Sequence, residues 1–158
     1  MTFDEAQALN GVAKFHRTFG LPVIETPAIP SEDRCKLRIS LLAEELQELK
    51  DALENNDLVE AADALADLQY VLSGAILELG LGSKFSALFD EVQRSNMSKT
   101  CKTYEEAIKT QEYYLATKAT DSYIVEKEGE YLVYRKEDSK VLKSINYSAA
   151  EVAKVVLD

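Results

Sequence analysis

The stretch "LLAEELQELKDALENNDLVEAADALADLQYVL", residues 41–72, decides how this chain is read. Two helical patterns flank a tight break at "ENND", residues 54–57. Between Lys50 and Lys84 there is no Lys, Arg or His, while Asp51, Glu54, Asp57, Glu60, Asp63, Asp67 and Glu78 all fall in that gap. Before the break, Cys35, Leu42, Leu46, Leu49 and Leu53 recur at helical spacing and predict a core stripe. At about 100° per residue, Glu45 and Glu48 border that stripe and Glu44 points further out. After the break, Leu58, Leu65, Leu68, Leu72, Ile76 and Leu79 mark the expected buried face. Ala62, Ala66 and Val71 leave the opposite side only weakly polar, so Asp63 and Asp67 are expected where water is scarce.

Two antiparallel helices that rise equally from a turn near Asn56 place Glu48 level with Asp63 and Glu45 level with Asp67. Like charges at such spacing cost about 0.2–0.5 kcal/mol even in water, and a desolvated unpaired carboxylate costs several kcal/mol more. An oxygen-only donor set of this kind suits Mg²⁺, with Mn²⁺ as the second choice. Glu45, Glu48, Asp63 and Asp67 are therefore the expected ligands. Glu60 is either a further ligand or the N3 residue of a helix start capped by Asp57. Ion pairs from Arg38, Lys14 or Arg94 are the structural alternative for these acids.

Working outward, residues 3–19 carry a rough helical spacing closed by Gly20. All three prolines follow in "LPVIETPAIPSED", an extended connector, and Ser31 or Asp33 caps the next helix. Further helices are expected over about 83–99 and 103–118. The tail "DSYIVEKEGEYLVYRKEDSKVLKSINYS" reads as a β-hairpin with a short extended segment. Ser148 and Glu151 form a capping-box pattern for a last short helix. The expected class is mainly α: a four- to five-helix bundle over 1–118, with a hairpin and short helix over 119–158 that do not make an independent domain. There are no repeats and no low-complexity stretch.

The 158-residue chain is 46% hydrophobic, enough to bury a core. Its net charge of −10 argues against nucleic-acid and anionic-membrane binding, though a bound metal can invert the field locally for an anionic ligand. The two cysteines lie far apart, and "MTFDEAQALNG" lacks the basic and apolar regions of a signal peptide, so a cytoplasmic protein is expected.

"EELQE" (Glu44, Glu45, Glu48) followed by "EAADALADLQYVL" resembles the E-E-x-x-E … E-x-x-D pattern of the all-α nucleoside triphosphate pyrophosphohydrolases, which include MazG-like, dimeric dUTPase-like and phosphoribosyl-ATP pyrophosphohydrolase-like proteins. "FHRTFGLPV", "FDEVQRSNMSK" and "SKVLKSINYS" resemble the phosphoribosyl-ATP branch. The resemblance covers most of residues 12–100 and returns at about 135–150, and the stretch between Tyr104 and Tyr134 looks like an insertion. It implies Mg²⁺-dependent cleavage between the α and β phosphates of a nucleotide, giving a monophosphate and pyrophosphate. It also implies that Glu45 and Glu48 are ligands, and the closing Asp matches either Asp63 or Asp67. One alignment puts Ala64 where the family has Glu.

A spare carboxylate, Glu44 or Glu48, is the candidate to take a proton from water. Lys99, Arg94 and Lys84, with Asn96, are candidates for holding the outer phosphates, and Asn96 and Lys99 share a face. His16 is a candidate to stack a base or edge a pocket, and Tyr70 to line the cavity one turn beyond Asp67. Lys140, Lys143, Asn146 and Tyr147 are candidates to reach a neighbouring site. The apolar helices predict a homodimer or homotetramer. The rival readings are phosphoribosyl-ATP as substrate, a nucleotide-binding helical module without turnover, and a ferritin-type di-metal bundle. The last wants E-x-x-H pairs, and the single histidine, His16, stands outside any such motif.

Overall fold

The computed structural model describes residues 2–157. Along the chain it runs α1 (Ala8–Thr18), α2 (Glu32–Glu54), α3 (Leu58–Glu78), α4 (Phe85–Met97), α5 (Tyr104–Lys118), β1 (Ser122–Lys127), β2 (Glu130–Arg135) and α6 (Val152–Leu157). The protein is thus mainly helical, with one small antiparallel sheet near its C-terminal end. Among the described residues no helix is long and apolar enough to cross a membrane. Contact density divides the chain into two compact units, one up to Phe85 and one from Ser86 onward. The sequence pattern places its division at Lys118 instead. The hairpin shares a core with α5, so the second unit takes in both.

In the first unit, α2 and α3 form a helical hairpin. Asn56 turns it with a positive φ of 54°, a conformation Asn tolerates better than most residues. Asp57 then caps α3, its carboxylate accepting from the N–H groups of Val59 (3.0 Å) and Glu60 (3.1 Å). Ser31 occupies the N-cap of α2 without a side-chain cap bond. The first helix starts at Ala8, later than its apolar spacing suggests, and Phe3 lies exposed outside it.

The core of this unit corrects the expected stripes. In the part of the hairpin nearer its turn the buried residues are Ala52, Ala61 and Ala64, small side chains at which two backbones can approach closely. The expected core leucines Leu46, Leu53, Leu58, Leu65 and Leu72 are exposed, Leu58 to 83%. Ile39, Leu46 and Leu53 recur every seven residues on α2, and Leu58, Leu65 and Leu72 do so on α3. These are heptad seams that the single chain leaves exposed. Helical periodicity gives an apolar stripe but not which surface it meets.

Burial becomes continuous from Ser73 to Glu78 in the last turns of α3. There Val12, Ala13 and Leu77 form a core with Leu9 and Val23. The proline-bearing connector lies along this end: the N–H of Ile24 donates to the Leu77 carbonyl (3.0 Å) and that of Ala28 to Leu79 (3.1 Å). Gly80, at φ +70°, lets the connector pass, since a Cβ there would stand 2.1 Å from the Thr26 carbonyl oxygen.

In the second unit, Thr103 caps α5 by accepting from the Glu106 N–H (3.1 Å), and Ala119 ends the helix in the left-handed region. Lys127 pairs with Glu130, leaving Glu128 and Gly129, both at positive φ, as the two-residue turn of the hairpin. Cys101, Ala107, Tyr114, Val133 and Leu142 form the core between α5 and the sheet. The predicted capping box does not form. Ser148 bonds instead to Ser98 and Arg94, the Glu151 N–H goes to Glu91, and α6 begins only at Val152.

Candidate metal centre and its surroundings

The acids of the α2–α3 hairpin fall into two groups. Glu78 is 2% exposed and meets two arginines from α2. Arg34 donates to it through Nε (3.1 Å) and Nη2, and Arg38 through Nη2 at 2.5 Å. Burial alone would raise the Glu78 carboxyl, but the bonds and charge of Arg38 and Arg34 overcome it and hold the group below the usual carboxylate range. His16 belongs to this network. Its Nδ1 lies 2.7 Å from the Pro22 carbonyl oxygen, and its Nε2 lies 3.2 Å from Arg38 Nη2. The ring is 2% exposed, so His16 is an interior residue and not the pocket rim its neighbours Phe15 and Phe19 suggest. Gly74 makes room for Arg38, whose Nη1 would stand 2.5 Å from a Cβ at that position.

The second group is Glu44, Glu45, Glu48, Glu60, Asp63 and Asp67. Among the described residues no ion pair reaches any of them; Arg38 is taken by Glu78 and Arg94 by Glu91. Glu45 is half-buried and the other five are exposed. The expectation that Asp63 and Asp67 are desolvated is therefore corrected for the single chain. The alanines of α3 face α2, and the aspartates stand beside that contact with access to water. Their mutual repulsion remains. Partial burial, and behind it the negative charges of Glu48, Asp67, Glu44 and Asp63, raise the Glu45 carboxyl above its ordinary value. The helix register thus brings Glu45 within the field of both aspartates.

Glu48, Asp63 and Glu60 also line one open cavity of about 370 Å³ with Asp51, Ala52, Asn55 and Asp57. Among the described residues no three acidic, His or Cys side chains are already drawn around a common point. The donor chemistry nevertheless fits a hard divalent cation: carboxylate oxygens only, without a basic partner, on two adjoining helices. Tyr70 stands one turn beyond Asp67 and packs edge-on against Phe15, centroids 5.7 Å apart. It is 40% exposed.

The cationic candidates separate as well. Arg94 is committed, donating to Glu91 through Nε and Nη2 (both 2.8 Å), to Ser148 Oγ (3.1 Å) and to the Ala149 carbonyl (3.0 Å). That pairing and the Glu151 N–H hold the Glu91 carboxyl down to about 2. Lys99 donates to Asn96 Oδ1 at 2.8 Å, so these two do share a face as their spacing predicts. The N–H of Lys84 donates to the Leu81 carbonyl at 3.0 Å just before α4. The Arg34–Arg38–Glu78 network was not legible from spacing. Its members lie 40 and 44 residues apart, and only the arginines on the buried edge of α2 could have hinted at it.

Comparison with known proteins gives two findings. The family model for phosphoribosyl-ATP pyrophosphohydrolase matches residues 12–96, more than half of the chain and all of the α2–α3 hairpin. An uncharacterised protein of Acanthamoeba polyphaga mimivirus is 24% identical over 231 aligned positions, covering 89% of this chain and 92% of the viral one.

Proposed function

Because the chain belongs to the phosphoribosyl-ATP pyrophosphohydrolase family, we propose that it is a divalent-metal-dependent nucleotide pyrophosphohydrolase that cleaves the α–β phosphoanhydride of a nucleoside triphosphate to monophosphate and pyrophosphate. One observation carries the metal part of this reading. The Glu45 carboxyl is raised by partial burial and by Glu48, Asp67, Glu44 and Asp63, and among the described residues no cation is paired with any of these acids. Mg²⁺ is the cation proposed, with Mn²⁺ an acceptable substitute.

Glu45, Glu48, Asp63 and Asp67 would hold the ion, with Glu60 a further oxygen on the cavity wall. Once bound, it would neutralise phosphate charge and acidify a water molecule. The chain's own carboxylates do the rest. Glu44 and Glu48 are the exposed groups able to take the proton of the attacking water. On α4, Asn96 and Lys99 present an amide and an ammonium suited to phosphate oxygens. Arg94 is already held by Glu91, so its contribution is to order the segment around Ser148 and Ala149.

Ala64 supports a second reading. It stands at 3% exposure in the helix contact, at the position where one alignment puts a family Glu. A chain lacking that carboxylate while keeping the others would be a nucleotide-binding module without turnover. Pyrophosphate release from a panel of (deoxy)nucleoside triphosphates and from phosphoribosyl-ATP, with and without Mg²⁺, separates the readings. Release from a triphosphate supports the first, and release from phosphoribosyl-ATP alone names the family's own substrate. Nucleotide binding without any release leaves the module.

We propose further that the chain assembles as a homodimer or homotetramer. The heptad seams of Ile39, Leu46 and Leu53 and of Leu58, Leu65 and Leu72 are exposed apolar surface on adjoining helices. Light scattering coupled to size exclusion tests this, and a strictly monomeric chain overturns it. The unpaired thiols Cys35 and Cys101 favour a reducing, cytoplasmic compartment.

A further inference from the structure

The last turn of α4 and the segment after β2 are stitched together within the second unit. The Ser144 N–H donates to the Lys99 carbonyl (3.2 Å) and the Ser148 N–H to Ser98 Oγ (3.0 Å). The Tyr147 hydroxyl shares a 2.9 Å hydrogen bond with Ser95 Oγ, and the Tyr147 N–H donates to the Ser144 carbonyl (2.9 Å). These bonds fix the Tyr147 ring beside the helix end. The ammonium of Lys143 lies over that ring, 4.2 Å from its centroid. Lys99, one turn beyond Ser95, reaches Asn96 Oδ1.

Charge pairing alone does not account for this arrangement. Two lysines elsewhere in the unit have carboxylates, Lys102 with Glu130 and Lys109 with Glu105; what sets Lys99 and Lys143 apart from the unpaired ones is that both act on one anchored phenol, that of Tyr147. Two acids bonded to these segments already have donors. Glu91 accepts from Arg94 and the Glu151 N–H, and Glu106 from Ser144 Oγ and the Lys102 N–H. Among the described residues no carboxylate pairs with Lys99 or Lys143. The carbonyl-rich end of α4 attracts a cation and accounts for one of them. The second, brought in from 44 residues away, adds like-charge repulsion. In a chain of net charge −10 such a pair is the reverse of the average surface. The Tyr147 phenol feels both: its hydrogen bond with Ser95 lowers its pKa most, and the charges of Lys143 and Lys99 lower it further.

We propose that Lys99 and Lys143, flanked by Asn96 and Tyr147, form a binding site for a phosphoanhydride oxyanion, which assigns Lys143 to phosphate handling. Two ammonium groups held on a fixed ring and a helix end offer separate point charges to the oxygens of a diphosphate. The choice of a phosphate over another anion rests on the activity proposed above. The same chemistry is offered by free inorganic pyrophosphate and by the phosphate chain of a nucleotide.

The test is calorimetric titration of the full chain in EDTA, first with inorganic pyrophosphate and then with an α,β-methylene nucleoside triphosphate. The expected result is pyrophosphate binding that weakens about tenfold or more in Lys143→Gln, the loss of one hydrogen bond to a charged group. Lys143→Arg should retain most of it. Lys109→Gln, whose ammonium already serves Glu105, should change binding less than about twofold, since exposed charges at a distance are screened. Weakening of the analogue as well as pyrophosphate places the nucleotide's chain in the site; weakening of pyrophosphate alone makes the free diphosphate the ligand. Absence of pyrophosphate binding in the natural chain, unchanged binding in Lys143→Gln, or equal loss in Lys109→Gln overturns the proposal. Nucleotide hydrolysis accompanied by unchanged binding in Lys143→Gln removes this site and leaves the proposed activity. Lys143-dependent binding without hydrolysis of any nucleotide does the opposite.

Discussion

Asp67 and Glu78 lie on the same helix, about three turns apart, in a sequence window without a basic residue. Glu78 is buried and is met by Arg34 and Arg38. Asp67 is exposed, and the charge that Glu45 feels from it is negative and unopposed. One acid is part of the fold's scaffold. The other has no ion pair among the described residues. A carboxylate's role on a helix is set by what the neighbouring helix brings across to it, and α2 brings arginines at one end and glutamates at the other.

The contrast can be broken by experiment. Glu48→Gln, at the unopposed end, is expected to lower pyrophosphate release by about 10²–10⁴-fold, with the apo melting temperature unchanged or raised. A modest loss of rate, or marked unfolding, would put Glu48 on the scaffold side. Glu78→Gln is expected to do the reverse and destabilise the chain by about 3 kcal/mol in urea titrations, because it strips the partner from two arginines. Arg34 is 30% exposed and can recover some hydration, which keeps the figure at the low end. A neutral effect would mean the network is incidental.

The same pair gives a pH test. The folded-state pKa of Glu78 is lowered, so its contribution is present above the unfolded carboxylate value of about 4.3 and is lost as pH falls through the folded value. The stability gap between the natural chain and Glu78→Gln should therefore be constant near neutrality and close below about pH 4. A gap that widens on acidification contradicts the assignment. Gly74→Ala drives a methyl into Arg38 Nη1 and is expected to cost about 1–3 kcal/mol by thermal or urea unfolding. If it costs nothing, Arg38 has room to move and the clasp on Glu78 is looser than its distances imply. The smallest effect is expected from Asp67→Asn, which relieves repulsion and should stabilise the apo chain by about 0.2–0.5 kcal/mol. Destabilisation by a similar amount would show that Asp67 has a positive partner.

Much of this was open to reading from the chain itself. The break at Asn56, the cap at Asp57, the hairpin turn at Glu128–Gly129 and the Asn96–Lys99 pairing are local, and local rules of backbone geometry and helical spacing reach them. So is the acid pattern that carries the family resemblance, now matched over residues 12–96. The destination of the leucines was not accessible in this way. A heptad of Leu58, Leu65 and Leu72 signals an apolar seam, and nothing in its period says whether the covering surface comes from the same chain. His16 likewise reads as a surface aromatic neighbour until Arg38 and Pro22 close around it.

The sequence by itself determined the helices, their order, the hairpin that sets Glu45 and Glu48 against Asp63 and Asp67, and the excess of negative charge there. These follow from residue spacing along one or two elements. Only the tertiary structure decided which acids are answered. It delivered Arg34 and Arg38 to Glu78, left Glu45 half-buried and Glu48, Asp63 and Asp67 exposed, with no ion pair to any of them among the described residues, and gathered Lys99 and Lys143 around one phenol. The first and the last of those outcomes join residues 40 or more positions apart. At that separation electrostatic partnership depends on how helices pack, which periodicity does not encode.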